Sequence, residues 1–290
     1  MFRKDLLKGK KILVTGGGTG LGRSMADKYA ELGAELVLCG RRKEMLDKAA
    51  DEITKKYGTK VAAIPCDIRV AQAIEDMIGD VWNSGPLDGL VNNAAGNFIS
   101  QTKDLSARAF DAIANIVFHG TFYMTNTVGK RWIQEKRKGS VLSILTTWVW
   151  TGSPFVVPSA MSKAGVAAMT KSLAVEWGRY GIRLNAIAPG PFPTEGAWAR
   201  LSPRGDNRDY TDRIPLGRVG NHSELANMAA FMMADEVEYL SGEVIALDGA
   251  QWLQGTGTFA NMLKYSEQDW QEIREKIKTT NDSDKRKRTV

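Results

Sequence analysis

Cysteine and histidine are scarce in this chain, with two of each among its 290 residues. Two cysteines are too few for a disulfide scaffold or a cysteine-ligated zinc cluster. Cys39 and Cys66 each end an apolar run, which predicts that both are buried core thiols. His119 and His222 lie far apart in the sequence, which argues against a histidine-based metal site but not against carboxylate ligands. We therefore predict no bound metal.

Long apolar runs are also missing. No window approaches the roughly 18 consecutive apolar residues that a membrane span needs. Residues 1–10 are charged and lead straight into a strand-like run, without the separate apolar segment and small-residue cleavage site of a signal peptide. We expect no membrane association and a cytoplasmic location.

The composition is that of an ordinary globular protein, with 43% hydrophobic and 25% charged residues. The formal net charge of +6 favours anionic partners such as nucleotides, coenzyme A or nucleic acid. Part of that excess is the basic run at residues 285–288, which is typical of a solvated chain end. Basic and aromatic residues do not interleave in the way that would suggest nucleic-acid binding, so a small molecule is the expected partner.

Short apolar runs alternate with longer amphipathic stretches along residues 9–250, which predicts βαβ units and a parallel sheet. The predicted strands are Ile12–Val14, Leu36–Leu38, Val61–Ile64, Leu90–Val91, Val141–Leu145, Leu184–Ala188 and Val244–Leu247. Runs that are apolar on both faces fit a sheet covered by helices on each side. The sequence thus predicts one α/β domain of the doubly wound (Rossmann) type, with a seven-stranded parallel sheet in a three-layer αβα arrangement.

Two segments stand apart from this pattern. Residues 191–221 are polar and rich in Pro, Arg, Gly and Asp, and are predicted to overhang the carboxyl ends of the strands, where ligands bind in open α/β sheets. They form either a substrate loop or a plain surface loop. Residues 251–290 are predicted to be an extension with one helix near Glu267–Lys278 and a basic, disordered end.

A glycine-rich loop follows the first predicted strand and opens a helix. Gly16, Gly20 and Gly22 have the spacing G-x-x-x-G-x-G. Glycines at this place allow a tight turn and the close approach of a pyrophosphate, to which the helix N-terminus offers amide donors and its dipole. Within a βαβαβ series the loop predicts a dinucleotide site. The alternative is a tight turn that binds nothing.

The end of the second strand indicates which dinucleotide is bound. An acidic residue there usually holds the ribose 2′-hydroxyl of NAD, but this chain has Arg41 and Arg42, and no acid appears before Glu44. A guanidinium suits a 2′-phosphate, so we predict NADP(H), with Arg41 as the main contact and Arg42 or Arg23 assisting. The alternative is that these arginines only face solvent. Asp67, which ends the third strand, is a candidate acceptor for the adenine amine or a loop cap.

Several motifs together resemble the short-chain dehydrogenase/reductase family over about residues 9–250. They are Thr15–Gly22, Asn92–Gly96, Ser159–Lys163 and Ala188–Gly190. Asn92–Phe98, Phe155–Ala160, Lys163–Gly165, Gly190–Pro191, Glu195–Ala197 and Ala199–Leu201 are similar to the NADPH-dependent 2,4-dienoyl-CoA reductases and their bacterial relatives. The resemblance implies cofactor contacts at Gly16, Thr19, Gly20, Leu21, Gly22, Arg41, Arg42, Asp67, Ile68, Asn93, Ala94, Lys163, Pro189, Gly190 and Phe192.

The resemblance also assigns catalytic positions. The tyrosine of the usual family motif Y-x-x-x-K is replaced by Ser159, as in dienoyl-CoA reductases, and Lys163 follows one helical turn later. Dienoyl-CoA reductases are expected to use another tyrosine, two residues after the hydroxyl residue that ends the fifth strand. That hydroxyl residue matches Thr146, and the tyrosine position holds Trp148, whose indole cannot release a proton near neutral pH. Asn97 matches the asparagine that helps to bind the thioester or dienolate oxygen.

From the residues themselves, Asn97, Thr146 and Ser159 can donate hydrogen bonds to a developing enolate oxygen, and Lys163 can hold the nicotinamide ribose. The usual family asparagine falls on Val117, and water or Tyr123 are the candidates left for a proton donor.

The leading hypothesis is an NADP(H)-dependent reductase of unsaturated acyl-CoA thioesters. The alternatives are a carbonyl or 3-oxoacyl reductase, and an NADP(H)-binding protein whose catalysis is impaired at Trp148. The resemblance further implies a homotetramer that pairs through helices near residues 107–136 and 159–180.

Overall fold

The strands form where the apolar runs predict them. In this computed structural model, which describes residues 1–194, 196, 201 and 211–287, a single parallel sheet has the strand order β3-β2-β1-β4-β5-β6-β7. The strands are β1 Lys11–Thr15, β2 Glu35–Gly40, β3 Val61–Pro65, β4 Gly89–Asn92, β5 Gly139–Ile144, β6 Ile182–Pro189 and β7 Val244–Leu247. The predicted seven-stranded doubly wound fold is confirmed.

Helices cover both faces of the sheet. They are α1 Gly20–Glu31, α2 Lys43–Tyr57, α3 Ala71–Asn83, α4 Ala107–Ala114, α5 Gly120–Gln134, α6 Trp148–Thr151, α7 Val157–Trp177 and α8 His222–Met233. Two more helices, α9 Gln251–Thr256 and α10 Glu267–Lys287, follow β7 in the sequence. A π-helical turn, Asn115–His119, joins α4 to α5. None of the helices in the described residues is long and apolar enough to span a membrane.

Side chains alternate between two core layers because successive strand residues point to opposite faces. On one face, Ile12 and Val14 pack with α1, α2 and α8, whereas Leu13 on the other face packs with α3, α5 and α7. Cys39 and Cys66 are buried in the second layer as free thiols, which confirms the prediction that they are core residues. Both layers together fix the carboxyl ends of the strands along one edge of the sheet.

The chain divides into two compact units, Met1–Gln251 and Trp252–Val290. The second unit contains α10, which extends to Lys287, well beyond the predicted end at Lys278. The prediction of a disordered basic end is therefore wrong as far as Lys287. The segment Glu267–Lys287 contains no proline or glycine, and Thr279 and Thr280 donate hydrogen bonds to the carbonyls of Glu275 and Lys276, so that nothing interrupts the helix.

Candidate active site

The glycine loop leaves β1 at the point where the strand order reverses, between β1 and β4. Gly16 and Gly20 have φ angles of +68° and +57°, which L-residues with a side chain rarely adopt. A Cβ atom on Gly22 would lie 2.4 Å from the carbonyl oxygen of Gly16 and 2.5 Å from Nδ2 of Asn93. The sequence therefore needs glycine at all three predicted positions in order to fold the loop back over the start of α1.

A hydrogen-bonded hub beneath this loop joins β1 to β4. Oγ1 of Thr15 accepts from the backbone N–H groups of Asn93 and Ala94, both at 3.0 Å, and donates to the carbonyl oxygen of Val91 at 3.2 Å. The side-chain amide of Asn93 donates to the carbonyl oxygens of Thr15 and Gly16. The side chain of Asn93 thus supports the loop, and the contact of Asn93 with the cofactor stays a prediction.

The start of α1 fits a pyrophosphate. Its N-cap residue, Thr19, makes no side-chain cap to the first-turn amides, and Oγ1 of Thr19 accepts instead from Arg42 at 3.3 Å. The N–H groups at the start of a helix need an acceptor, and an anion is favoured there by the helix dipole. Leu21 turns inward to the first core layer, so its backbone rather than its side chain faces this end.

The two arginines that follow β2 form a positively charged surface. Arg41 and Arg42 are both exposed, as a contact with a 2′-phosphate requires. Arg23 is instead engaged by Asp27 and Glu52, each at 2.8 Å, so the idea that it assists finds no support.

Asp67, near these arginines, is already paired with another cation, Arg69. Its carboxylate accepts from the guanidinium of Arg69, with Nε at 2.9 Å from Oδ1, and also accepts from the Arg69 backbone N–H. The Arg69 hydrogen bonds, and then the charge of Arg41, hold the pKa of Asp67 below its ordinary value. Asp67 caps its loop through the Arg69 backbone, and its contact with the adenine amine stays a prediction. The neighbouring Ile68 is buried, and its carbonyl oxygen lies 2.8 Å from the Cβ position of Gly120, at the start of α5.

The predicted catalytic residues come from the carboxyl ends of β4 and β5 and from α7. Asn97, in the loop after β4, is half-buried, and its Oδ1 accepts from the N–H of Phe98 at 2.9 Å, which leaves Nδ2 as the donor. Thr146 and Trp148 follow β5 and are half-buried, and Trp148 begins the four-residue helix α6. The N–H of Ser100 donates to the carbonyl oxygen of Phe155 at 2.9 Å, which joins the Asn97 loop to the segment before α7.

Ser159 and Lys163 occupy the first two turns of α7 and are both buried. Nζ of Lys163 donates a short hydrogen bond to the carbonyl oxygen of Ile144, the last residue of β5. Burial lowers the pKa of Lys163 to about 8, because desolvation disfavours the charged form. The ammonium group of Lys163 is thus held at the carboxyl end of β5, the strand that Thr146 follows. Its pKa lies close to neutral.

A family model described as enoyl-(acyl carrier protein) reductase matches residues 16–250. The chain belongs to the short-chain dehydrogenase/reductase family. Members of this family are oxidoreductases that bind a nicotinamide cofactor, and the glycine cradle described above fits that group.

Two relatives and one solved structure illustrate the similarity. A probable 2,4-dienoyl-CoA reductase of Caenorhabditis elegans, named as (3E)-enoyl-CoA-producing, is 45% identical over 258 residues, which are 87% of this chain and 83% of the relative. A probable 2,4-dienoyl-CoA reductase of Bacillus subtilis strain 168, named as (2E)-enoyl-CoA-producing, is 42% identical over 247 residues, 84% of this chain and 97% of the relative. The crystal structure of a short chain dehydrogenase from Bacillus anthracis superposes with a TM-score of 0.77 at 42% identity, and covers 84% of this chain and 97% of that structure.

The π-helical turn of this short-chain dehydrogenase/reductase falls where the resemblance places the usual family asparagine. Val117, the residue at that position, lies inside the turn and is fully buried. Tyr123, a candidate replacement acid, packs against the second core layer, and its ring is tilted by 54° to that of His119 with the ring centroids 6.0 Å apart. Tyr123 is therefore partly buried against that layer, and its role as the acid stays a prediction. π-helical turns occur often at functional sites.

The segment after β6 closes the site. Pro189 pairs with Leu247, and a Cβ on Gly190 would lie 2.5 Å from Cβ of Asp248, so the backbone must pass close to β7. The ring of Phe192 is buried in the first core layer, so a cofactor contact there falls to its backbone. Within the predicted 191–221 loop, residues 195, 197–200 and 202–210 lie outside the described residues.

Two features of the site escaped the sequence reasoning. Phe155 has φ +65° and is 55% exposed, a strained conformation for an aromatic residue. His222 was considered only as a metal ligand, but it bridges two elements of the site. No local pattern could have revealed either feature, since both depend on contacts between segments that are distant along the chain.

Proposed function

We propose that the protein is an NADP(H)-dependent reductase of unsaturated acyl-CoA thioesters, of the 2,4-dienoyl-CoA reductase type. The observation that carries this proposal is the buried pair Ser159 and Lys163, one helical turn apart on α7, with serine where ordinary carbonyl reduction in this family needs a phenol. Asn97 and Thr146 supply hydrogen-bond donors from the loops after β4 and β5, as a thioester oxygen requires. The names of the two relatives support the same substrate class.

The preference for NADP(H) over NAD(H) rests on the charges after β2 and β3. Arg41 and Arg42 are exposed, and the carboxylate of Asp67 is neutralised by Arg69. A 2′-phosphate therefore meets two cations after β2, and the carboxylate after β3 is already paired. A guanidinium binds such a phosphate with two parallel hydrogen bonds, whereas a ribose 2′-hydroxyl gains little from it.

The cofactor, when bound, supplies a hydride to the substrate. The residues of this chain then have to stabilise the negative charge that develops on the thioester oxygen. Oδ1 of Asn97 accepts from the N–H of Phe98, which fixes the orientation of the side-chain amide before substrate binds. Nδ2 is then the donor for the substrate oxygen. Lys163 is anchored at the carbonyl of Ile144, which places its positive charge at the end of β5. A preorganised donor and a buried cation stabilise an enolate more strongly than water does.

Proton delivery decides which product forms. After hydride addition at the far end of a diene, protonation next to the thioester gives a 3-enoyl product, and protonation two carbons further along gives a 2-enoyl product. The two relatives are named for these different products.

Trp148 favours a second candidate function, an NADP(H)-binding protein with impaired catalysis, because an indole is not an acid near neutral pH.

One assay panel tests both candidates. NADPH and NADH oxidation are followed with a 2,4-dienoyl-CoA, a 3-oxoacyl-CoA and a simple ketone, and the enoyl product is identified by NMR. Turnover of the dienoyl-CoA with NADPH, and not of the ketone, supports the proposal. Turnover of the ketone or the 3-oxoacyl-CoA alone contradicts it. Tight NADPH binding without turnover of any substrate supports the second candidate, an NADP(H)-binding protein with impaired catalysis.

We further propose that the protein assembles as a homotetramer. Apolar side chains on the π-helical turn, α5 and α7 are exposed in the single chain: Phe118 (41%), Phe122 (45%), Met161 (58%) and Val175 (86%). Covering them with a second copy removes apolar surface from water, and closed symmetry is the common form of such assemblies. Light scattering that gives a monomer at micromolar concentration contradicts this proposal.

A further inference from the structure

His222, the first residue of α8, connects the two segments that flank the pyrophosphate end of the cofactor site. Its Nε2 lies 2.7 Å from the carbonyl oxygen of Pro193, and its Nδ1 lies 3.0 Å from Oγ of Ser24. A carbonyl oxygen only accepts, so Nε2 must carry the hydrogen. The neutral ring then accepts from the hydroxyl of Ser24. If the ring is protonated, Ser24 accepts instead and can donate to the carbonyl of Gly20 at 3.2 Å.

The segment that His222 holds lies directly against the glycine loop. The methyl group of Thr194 is 3.4 Å from the Cβ position of Gly20, the first residue of α1. Ser24 lies one turn further along the same helix. Pro193 and Thr194 thus form a wall beside the helix N-terminus that is suited to a pyrophosphate.

Two further contacts fasten this wall from the side of α8. The N–H of Gly220 donates to the carbonyl oxygen of Pro191 at 3.0 Å, and the missing side chain of Gly220 leaves room for the ring of Phe192, which would lie 2.4 Å from a Cβ. Residues 190–194 and 220–222 are therefore packed together as one unit, and His222 is its link to α1.

We propose that His222 is a positioning residue for cofactor binding: by bridging Pro193 and Ser24, it holds the Pro193–Thr194 wall at the pyrophosphate end of α1. This rests on the proposed function in that it assumes a bound nicotinamide dinucleotide. His222 touches neither cofactor nor substrate in this role, and acts through Pro193 and Thr194.

A purely structural role in starting α8 is already filled by other residues. Oε2 of Glu224 accepts from the N–H of Asn221 at 2.8 Å, which closes the first turn. Arg218 holds Glu224 in place with two hydrogen bonds of 2.7 and 2.8 Å, and lowers the pKa of Glu224 to about 2. The first turn of α8 therefore keeps its cap when His222 is replaced.

Three variants test the proposal: His222→Ala removes the bridge, His222→Gln keeps a donor and an acceptor at a similar spacing, and Ser223→Ala is the matched control at an exposed neighbouring position. NADPH and NADH affinities are measured by titration without substrate. Hydrogen exchange at the amide of Gly220 reports on the wall, and KM and kcat are measured with a 2,4-dienoyl-CoA.

We expect His222→Ala to weaken NADPH binding roughly threefold to tenfold, the range for loss of one neutral hydrogen bond. Exchange at Gly220 should be faster, and KM should rise more than kcat falls. His222→Gln should restore the affinity to within about twofold of the wild type, and Ser223→Ala should change nothing.

Equal NADPH affinities and equal exchange at Gly220 in His222→Ala and Ser223→Ala would overturn the proposal. So would a His222→Gln variant that binds as weakly as His222→Ala. If His222→Ala fails to fold, Ser24→Ala removes the other half of the bridge and must weaken NADPH binding in the same direction. Absence of dienoyl-CoA turnover in the wild type refutes the proposed substrate, but leaves the titration and exchange results decisive for His222.

Discussion

Gly22→Ala is the sharpest test of the cofactor cradle, because the structure fixes what the added methyl group meets. Its Cβ would lie 2.4 Å from the carbonyl oxygen of Gly16 and 2.5 Å from Nδ2 of Asn93. Neither group can move freely, since Nδ2 of Asn93 donates to the backbone carbonyl of Thr15 at 3.0 Å. The added methyl group must push α1 away from the glycine loop.

The size of the effect follows from two opposing terms. Overpacking costs about 1–3 kcal/mol, and the better helix propensity of alanine offsets up to about 1 kcal/mol of that. We expect a net loss of about 1–2 kcal/mol in the free energy of unfolding, measured by urea denaturation. NADPH affinity should fall more steeply, by about tenfold or more in a titration, because the displaced atoms form the phosphate loop itself.

Gly79→Ala is the matched control, since it makes the same substitution inside another helix, α3. There the nearest foreign atom is a flexible arginine nitrogen, Nη2 of Arg131, at 3.6 Å from the added Cβ. This variant should gain up to about 1 kcal/mol and bind NADPH like the wild type. The reasoning fails if Gly22→Ala keeps both stability and affinity, or if Gly79→Ala loses as much as Gly22→Ala.

Four further outcomes are expected. Arg41→Asp should weaken NADPH binding roughly 10- to 100-fold in a titration without weakening NADH binding, because a charge-assisted contact to the 2′-phosphate is lost and a carboxylate can hold a ribose 2′-hydroxyl. Trp148→Tyr should raise dienoyl-CoA reduction by roughly 10²–10⁴-fold in steady-state assays if position 148 is that of the acid; an unchanged rate in the intact variant places the acid elsewhere. Lys163→Met should abolish turnover yet stabilise the protein at pH 7 by up to about 3 kcal/mol, because burial lowers the Lys163 pKa from 10.5 to about 8 and the desolvation cost of the charged group is present in full below pH 8. This excess should shrink between pH 8 and 10.5 in urea titrations, where the folded wild type loses its proton before the unfolded chain does. Phe155→Gly should raise the unfolding free energy by about 0.5–1 kcal/mol in the same assay, because glycine adopts φ +65° without strain.

The sheet and the glycine loop were predictable because their signals are local. Val14 and Leu38 lie in apolar runs short enough to be strands, and the turn glycines stand where the first run ends. The loop requires glycine at Gly16 and Gly22 for steric reasons that any sequence with this turn must satisfy. Local chemistry of this kind is readable without knowledge of the fold.

Contacts across long sequence separations were not predictable. The Pro193 and Ser24 partners of His222 are 29 and 198 residues away in sequence, and nothing near residue 222 indicates them. The bonds of the Asn93 side chain to the glycine loop were not predictable either, because the backbone carbonyls that it binds converge only once β1 and β4 are paired.

The glycine loop and the segment leading to Asn97 are joined by the side chains of Thr15 and Asn93, and this determines which experiments separate cofactor binding from catalysis. Thr15 lies at the end of β1 and binds the backbone of Val91 in β4 and of Asn93 and Ala94 after it, so a change at Thr15 reaches both the cofactor loop and the segment leading to Asn97. Trp148 belongs to a different segment, beyond β5, and has no part in that hub. A change at Thr15 must therefore alter cofactor binding and catalysis together, whereas a change at Trp148 can alter proton transfer with the cofactor loop intact. This separation makes the rate of Trp148→Tyr interpretable as chemistry whenever its NADPH affinity equals that of the wild type.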